Sequence, residues 1–555
     1  MPGARAGAGR MIATRPASAY PWTWVAVGIA SILALPIVTV VSSLAWPRSE
    51  VWLHLWRTQL LELVVNTVLL MGGVGAGTLI IGAGLAWLIV HYRFPGRGLF
   101  EWALILPLAV PAYVIGFAFL GLFDYAGPIQ VALRRWLGTG IRLPEIRSYW
   151  GVVLVMTLVF YPYVYLLARV AFREQGMAGI ETARTLGRSR PGAFVHVTLP
   201  MARPALAAGV ALAMMEVLAD FGTVATFGYR TLTEAVYRVW NGMFDRVAAT
   251  QLASVLLLFA LVLILLERRS RGRARFAESG RRGPIPPPAQ LGGWRAAAAM
   301  TACLGVLGLA FALPVGQLAW WGMSALKAGQ VAPDFIALLG RTCGLAITTA
   351  LLACLLGLLL AYAGRLHATS PVRLAGQFVS MGYALPGAVV AVGVLLPLAW
   401  LDHTIVPSLE RWLGRPLGLL LTGSAVGLIL AYLVRFLAVS LQTVEAGLSR
   451  ISPSLDDAAR SLGVRAGGAL RRVHAPLLRG SLLTAVVLVY VETMKEMPAT
   501  LLLRPLGLNT LAIEIWERTS EAMWQEASVP ALTLVAIGLL PVVALVRLTA
   551  RRSGL

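Results

Sequence analysis

The sequence predicts an all-α membrane protein of about twelve transmembrane helices, arranged as two similar halves. Of its 555 residues, 58% are hydrophobic and only 13% are charged, and the apolar residues form a dozen long runs that contain few charges. In a soluble domain about a quarter of the residues are usually charged, so this chain is too apolar to fold in water.

The spans follow from the length of these runs, since a bilayer core about 30 Å thick requires roughly 20 apolar residues in a helix. The first half contains predicted spans at 23–45, 63–90, 102–123, 150–168, 204–225 and 249–266. The second half contains 297–321, 343–364, 375–400, 418–440, 480–500 and 528–547. The first run follows three arginines, as in a signal peptide, but it is too long for one, and we expect it to remain as the first helix.

A hydrophilic segment separates the halves. Residues 267–290 are rich in Arg, Gly and Pro, a composition that cannot bury a core and is typical of a flexible linker. We therefore divide the chain into a first six-helix half at 1–266, a cytoplasmic linker at 267–296 and a second six-helix half at 297–555.

The halves are an internal repeat, because one offset aligns features spread over more than a hundred residues. The offset is 276 for Glu181 and Asp457, Gly187 and Gly463, Pro200 and Pro476, and Glu216 and Glu492, and 275 for Pro111 and Pro386. Six spans in each half let both halves cross the membrane in the same direction. The sequence therefore predicts parallel rather than inverted repeats.

The net charge of +22 does not indicate nucleic-acid binding, because the basic residues lie in short gaps between apolar runs. With the amino terminus placed in the cytoplasm, the cytoplasmic segments carry about twice as many Lys and Arg residues as the external loops. We expect both termini and the linker to be cytoplasmic.

Two polar segments occupy equivalent places between the fourth and fifth spans. They read ETARTLGRSRPGAFVHVTLP at 181–200 and DAARSLGVRAGGALRRVHAP at 457–476. Small residues on one helical face permit close approach by another surface, and the charged residues offer charge-assisted contacts. A loop that lies on anionic headgroups is the alternative, but the presence of two copies favours docking. The proposed contact residues are Glu181, Ala183, Arg184, Gly187, Pro200, Asp457, Ala459, Arg460, Gly463 and Pro476.

These segments resemble the EAA loop of the inner-membrane permeases of binding-protein-dependent ABC transporters. This chain departs from that pattern at Thr182, Asp457 and Ala475, and has Val in place of Ile in both copies. The resemblance implies that each segment is a coupling helix seated in one of two copies of a cytoplasmic ATPase subunit, and that an extracytoplasmic binding protein delivers substrate. It also implies a bacterial inner-membrane location.

The chain itself has no phosphate-binding loop. Its only lysines are Lys327 and Lys495, and neither stands in a Gly-Lys-Ser/Thr context. We therefore expect no enzymatic activity and no cofactor in this chain, with ATP and Mg bound by the partner ATPase.

Charged residues interrupt the fifth span of each half, where lipid would penalise them by about 2.5 to 3.5 kcal/mol each. They are Glu216, Asp220, Glu492, Lys495 and Glu496. The spacing of four predicts that the two acids of each half share a helical face near the middle of the membrane or beyond it. Two interpretations remain open: the acids line a cation pathway or gate, or they form internal pairs such as Glu492 with Lys495 that hold the halves together.

The stretches ADFGTVATFG at 219–228 and KEMPATLLLRPLGLNTLA at 495–512 resemble those of the ferric iron permeases, which are commonly two fused halves. The resemblance implies iron import by alternating access, with transient ferric contacts at Glu216, Asp220, Glu492 and Glu496. Thiamine, phosphonate and polyamine permeases are related alternatives. An ion-gradient transporter that uses the same four acids is a further alternative, against which the doubled docking segment counts.

Other residues carry weaker signals. Arg435 lies within a span and either pairs with an acid or extends toward an interface. Tyr113 and Tyr383 lie within three residues of the third-span prolines Pro111 and Pro386 and either line a pathway or pack. The three cysteines and six histidines have no metal-ligand or disulfide spacing.

Overall fold

The computed structural model describes residues 20–138, 143–174, 183, 185, 187, 189–272, 288–366 and 369–552. The described helices of the first half are α1 Tyr20–Ser42, α2 Glu50–Thr58, α3 Leu60–His91, α4 Arg97–Ala103, α5 Ala112–Phe123, α6 Pro128–Leu137, α7 Tyr149–Glu174, α8 Arg190–Ala193, α9 Leu199–Ala219, α10 Gly222–Thr226, α11 Leu232–Gly242 and α12 Arg246–Gly272.

The described helices of the second half follow a similar order. They are α13 Gly293–Leu307, α14 Leu313–Lys327, α15 Phe335–Leu366, α16 Ser370–Met381, α17 Gly387–Leu413, α18 Ala425–Leu448, α19 Ser454–Ser461, α20 Ala466–Ala469, α21 Ala475–Leu477, α22 Arg479–Met494, α23 Pro498–Leu503, α24 Leu511–Ser520 and α25 Trp524–Arg552. Short 3₁₀ turns lie at Ser43–Ala45, Leu106–Ala109 and Gly382–Ala384, and π-helical turns at Phe194–Thr198, Gly308–Ala312 and Leu470–His474.

The apolar helices confirm a multi-span membrane fold. Within the described residues, ten helices are long and apolar enough to cross a bilayer, and a pair bent by 78°, Ala466–Leu477 with Arg479–Met494, makes eleven. The last predicted span, 528–547, falls within α25. Every predicted span therefore overlaps a helix.

The third and the fifth predicted span of each half are not continuous helices, and the third is broken at its prolines. The run at 102–123 is divided between α4 and α5 by Pro107 and Pro111, and the run at 375–400 is divided between α16 and α17 just before Gly387. Proline has no N–H to donate and its ring clashes with the preceding turn, so the helix ends there. The broken spans place an irregular turn inside the protein at the same position in both halves.

The repeat extends to packing. In the first half α3, α7 and α9 pack against one another, and in the second half α15, α18 and α22 do the same. These elements are related by the sequence offset, since α7 begins at Tyr149 and α18 at Ala425, 276 residues later. Each triple forms the centre of one half.

The first helical span of each half packs on the other half. Helix α1 contacts α15, α16 and α17, and α14 contacts α5 as well as α25 of its own half. A Cβ on Gly393 of α17 would overlap the Pro36 carbonyl of α1, and a Cβ on Gly121 of α5 would overlap the Trp321 ring of α14. Glycine at these two positions therefore permits the exchange of helices between halves.

A short strand pair joins the end of the linker to the first half. Tyr92 and Arg93 pair in parallel with Ala289 and Gln290, and the Leu291 N–H donates to the Arg93 carbonyl oxygen at 2.9 Å. An all-α reading of the sequence did not predict this contact. The chain is thereby anchored beside the end of α3 before α13 begins.

Candidate functional sites: a charged cavity between the halves and two polar segments

The fifth span stops early in both halves, and an acid caps the short helix that follows. Helix α9 ends at Ala219, and Asp220 accepts hydrogen bonds from the Thr223 N–H (2.7 Å) and hydroxyl (3.0 Å). In the second half, the Ala499 N–H donates to Glu496 at 2.9 Å. The same offset relates both pairs: each acid stands one residue before the N-cap, Phe221 or Met497, and its side chain accepts from the first turn of α10 or α23.

The two acids of each half face the same cavity, as predicted, but the second acid of each pair lies just past the end of the helix. Glu216 and Glu492 lie on α9 and α22, whereas Asp220 and Glu496 lie beyond the ends of those helices. Asp220 has the extended backbone conformation (φ −77°, ψ 113°), which ends the helical register. All four acids line one cavity.

All five charged residues predicted in the fifth spans line one cavity of about 80 Å³ between the halves. Arg435 of α18 and Tyr113 and Tyr163 of the first half also line it. Four of the lining side chains are acids and two are bases, so the cavity has an excess of negative groups. The described residues contain no cluster of three or more His, Cys, Asp or Glu side chains arranged to hold a metal ion.

Two tyrosine hydroxyls hold Glu216. The Tyr163 hydroxyl of α7 donates to Glu216 Oε1 at 3.1 Å, and the Tyr383 hydroxyl donates to the same oxygen at 2.7 Å. Tyr383 belongs to the turn that breaks the third span of the second half, so its bond crosses between the halves. Tyr383 reaches the charged site only through this bond and is not among the residues that line the cavity, whereas Tyr113 is.

The acids of the second half pair with basic side chains. Glu492 and Lys495 lie 2.9 Å apart, and Arg435 pairs with Glu496, with both side chains of the latter pair at least 93% buried. Arg435 therefore pairs with an acid and does not extend to an interface. Such burial is tolerated because each charge has a partner.

The first half has no matching cations. The offset of 276 places Val159 opposite Arg435 and Ala219 opposite Lys495. Glu216 and Asp220 consequently receive hydrogen bonds only from hydroxyl and backbone N–H groups within the described structure. The cavity is asymmetric in charge although the backbone is repeated.

Gly387 allows the second-half pair to form. A Cβ at this position would overlap Glu496 Oε1 and lie 3.2 Å from Arg435 Nη1. The residue follows Pro386 at the start of α17, a Pro-Gly pair that marks a turn in the sequence. No charge or motif in the sequence marks this glycine as part of the site.

The polar segment of the second half forms α19 and α20, joined at Gly463, which adopts the left-handed conformation (φ +72°). Asp457 and Arg460 pair at 2.6 Å and are about 70% exposed, so they face outward. Ala459 is buried. The small alanine therefore packs on the protein itself, and the outward face available to a partner is the charged one. Pro476 lies in α21, at the start of the fifth span.

Residues outside the predicted set hold this segment in place. Asp456 accepts from Arg365 of α15 (2.7 Å) and contacts the buried His474 at 2.6 Å. Arg365 also donates to the carbonyl oxygens of Leu448 and Ile451 at the end of α18. The offset of 276 places Asp457 opposite Glu181 but Asp456 opposite Ile180, so the repeat gives no signal for Asp456.

The first polar segment has the same features where it is described. Gly187 is left-handed (φ +83°), and Ala183 is buried against Ala193, with Trp87 and Val197 packed around them. Pro200 lies in the first turn of α9. Glu181 and Arg184 lie outside the described residues.

Comparison with known proteins agrees with the repeated architecture. The sequence model of the family described as binding-protein-dependent transport system inner membrane component matches the chain twice, at residues 77–275 and 353–554.

Three relatives illustrate the range of similarity. The chain is 27% identical over 492 residues to the Fe(3+)-transport system permease protein FbpB 2 of Haemophilus influenzae, covering 88% of this chain and 90% of that protein. It is 24% identical over 478 residues to the putative ferric transport system permease protein FbpB 1 of the same organism, covering 81% and 71%. The sulfate transport system permease protein CysT of Escherichia coli is 31% identical over 241 residues, covering 42% of this chain and 84% of that protein.

Proposed function

The chain belongs to the family of binding-protein-dependent transport system inner membrane components, and from this premise we propose that it imports ferric iron. It is a multi-pass permease with two fused family units and apolar helices throughout. The observation that carries the substrate proposal is the match along 88% of the chain to a permease named for Fe(3+) transport. The sulfate permease matches 42% of the chain, which corresponds to about one of its two six-helix halves.

The charge of the cavity supports a cation. Four acids and two bases line it, and among the described residues neither acid of the first half forms an ion pair within 4 Å. An oxyanion such as sulfate would face this negative excess at short range, where the low dielectric strengthens repulsion. Carboxylate oxygens suit hard cations.

Energy for transport comes from separate subunits. The chain lacks a phosphate-binding loop, so ATP and Mg are held by two copies of a cytoplasmic ATPase, each docked on one polar segment. The outward-facing Asp457 and Arg460 are the contacts in the second half. Glu181 and Arg184 are their counterparts in the first half.

Transport proceeds by alternating access. ATP-driven closure of the two ATPase subunits moves the polar segments, and the halves rock about the cavity between inward- and outward-facing states. Both termini and the linker lie in the cytoplasm, and an extracytoplasmic binding protein delivers the ion to the opposite face. An ion-gradient transporter does not need paired segments that dock an ATPase. The family to which this chain belongs is binding-protein-dependent, which also counts against an ion-gradient mechanism.

Reconstitution tests the substrate. The permease, its ATPase subunits and the binding protein are placed in proteoliposomes, and ATP-dependent uptake of ferric iron is compared with that of sulfate, thiamine and a polyamine. Uptake of iron alone is the expected result. ATP-dependent uptake of another of these compounds without iron would overturn the proposal.

A second experiment tests coupling. Valine at both Gly187 and Gly463 cannot adopt the left-handed conformation without strain and should abolish ATP-driven uptake. The matched control is Gly467→Ala, since Gly467 lies in α20 and its Cβ would meet no atom within 4 Å. Normal ATPase binding and uptake by the double valine variant would contradict the coupling role.

A further inference from the structure

An apolar groove of about 740 Å³ opens on the surface of the first half. Helices α3 and α12 both pack on α9, and the groove lies between them along α9. Its lining is apolar except for Arg203 and Glu267, and the lining residues Ile80 and Leu266 are exposed at its rim. The volume falls within the range of about 300 to 1,000 Å³ that is usual for ligand sites.

The groove is long enough for an acyl chain. Along α9 its lining runs from Leu199 to Met214, which corresponds to a helical rise of about 22 Å. One leaflet of the hydrocarbon core is about 15 Å thick, half of the value for the bilayer. A chain that lies in the groove can therefore cross one leaflet in contact with α9.

The charged residues of the groove lie at one end. Arg203 stands in the second turn of α9 and Glu267 near the end of α12, so both are on the side of the first polar segment. Arg203 is exposed, and no ion pair or side-chain hydrogen bond engages it within the described residues. Arg268 and Arg269 follow on α12 and are also exposed. Bases therefore outnumber acids at this end of the groove.

The repeat shows which residues make the groove. Helices α3 and α15 begin and end 275 residues apart, so Leu359 stands opposite Gly84. On α22 the offset of 276 places Leu483 opposite Ala207. A Cβ on Gly84 would meet no atom within 4 Å, so the space beside it is open. The first half has small residues where the second half has leucines, and the groove occupies the difference.

An apolar space that faces a bilayer is filled from the bilayer. Water finds no polar partners there, and an empty space would cost the lining its dispersion contacts. Because a lipid tail is no more apolar than leucine, the chain alone gives little preference for one lipid over another. Preference comes from the headgroup, and basic residues between transmembrane helices at the cytoplasmic surface favour anionic headgroups.

We propose that this groove binds one anionic glycerophospholipid, with an acyl chain along α9 and its phosphate on Arg203. The guanidinium donates charge-assisted hydrogen bonds to the phosphate oxygens. The site goes beyond the proposed function, since it does not depend on which substrate is imported. The bound lipid contacts the helix that leads from the first polar segment to Glu216.

Lipid titration followed by native mass spectrometry tests the site. Purified permease in detergent is titrated with phosphatidylglycerol, and one lipid should bind more tightly than the others and more tightly than phosphatidylcholine. Arg203→Gln should weaken this binding by about fivefold. Arg479→Gln is the matched control, because Arg479 is the exposed counterpart of Arg203 in the half with the larger side chains, and it should leave the tight lipid in place.

A variant with a filled groove tests the location. Gly84→Leu/Ala207→Leu copies the second half and should lose the tight lipid. Phosphatidylglycerol should raise the unfolding temperature of the wild type, because it binds the folded state, and should not raise that of the double variant. Since Arg203 is exposed, Arg203→Gln tests the site even if the double variant is unstable.

Four results would overturn the site. Equal weakening by Arg203→Gln and Arg479→Gln would mean general attraction to a basic surface. Tight binding by a folded double variant would place the lipid elsewhere, and equal binding of phosphatidylcholine would remove the role of the anionic headgroup. Self-association of the wild type that the double variant lacks would assign the groove to a second copy of the chain.

Discussion

The Tyr383 hydroxyl donates a hydrogen bond to Glu216 Oε1 at 2.7 Å, and this bond joins the two halves of the permease. Glu216 stands one turn before the end of α9, and Tyr383 stands in the turn that precedes α17. Both residues sit where a span is interrupted. The interruptions therefore bring the halves into polar contact at the cavity.

Tyr383→Phe and Glu216→Gln should be energetically coupled. A buried hydrogen bond to a charged group contributes about 1.5 to 3 kcal/mol, and residues in direct contact give non-additive changes. The thermal unfolding of both single variants and the double variant gives the coupling energy. Tyr432→Phe is the control, because its hydroxyl pairs with Thr500 inside the second half and should be additive with Glu216→Gln. If the effects of the single variants add up in both comparisons, the hydrogen bond between the halves contributes nothing to the free energy of unfolding.

Arg435→Met should destabilise the permease strongly. It leaves Glu496 charged and buried without a basic partner, at a typical cost of about 3 to 5 kcal/mol. Adding Glu496→Gln should recover part of this loss, because the unpaired charge is removed. The exposed Asp457 and Arg460 pair is the reference, and Arg460→Met should change the unfolding free energy by less than about 1 kcal/mol. If Arg435→Met and Arg460→Met lower the unfolding free energy equally, burial of the ion pair does not determine the cost of breaking it.

Gly387→Ala should disturb the cavity. The new methyl group overlaps Glu496 Oε1, so the Arg435 pair must shift, at a cost of about 1 to 3 kcal/mol for overpacking. Gly344→Ala in α15 meets no atom within 4 Å and should be neutral or slightly stabilising. Unfolding temperature and transport rate are measured for both. A Gly387→Ala protein that behaves like Gly344→Ala would mean that the site tolerates the displacement.

Asp456→Asn and Asp457→Asn should have different effects. Asp456 binds Arg365 and His474, so its change should lower stability by about 1.5 to 3 kcal/mol and loosen the second polar segment. Asp457 is exposed, so its change should leave the isolated permease stable and weaken only the binding of the ATPase. Thermal unfolding and ATPase pull-down separate the two effects. The assignment fails if Asp457→Asn destabilises the permease as much as Asp456→Asn does.

The repeat was predictable because it needs only the order of residues along the chain. Gly187 and Gly463 were recognised from spacing, and both are left-handed as a helix end requires. The roles of Asp456 and Arg365 were not predictable. Asp456 and Arg365 pair with each other although they stand about ninety residues apart in the sequence, and no periodic pattern indicates such a contact.

The sequence by itself determined the helical membrane class, the two fused halves and the pair of polar segments, because hydrophobic length, motif spacing and repeat offset are properties of the linear chain. Only the tertiary structure decided which acids form ion pairs. Glu496 and Glu492 are neutralised by Arg435 and Lys495, while Glu216 receives two hydroxyls, one of them from the other half. The energy of a charge in a low-dielectric interior depends mainly on its nearest partner. Packing between segments that are distant in the sequence determines which residue that partner is.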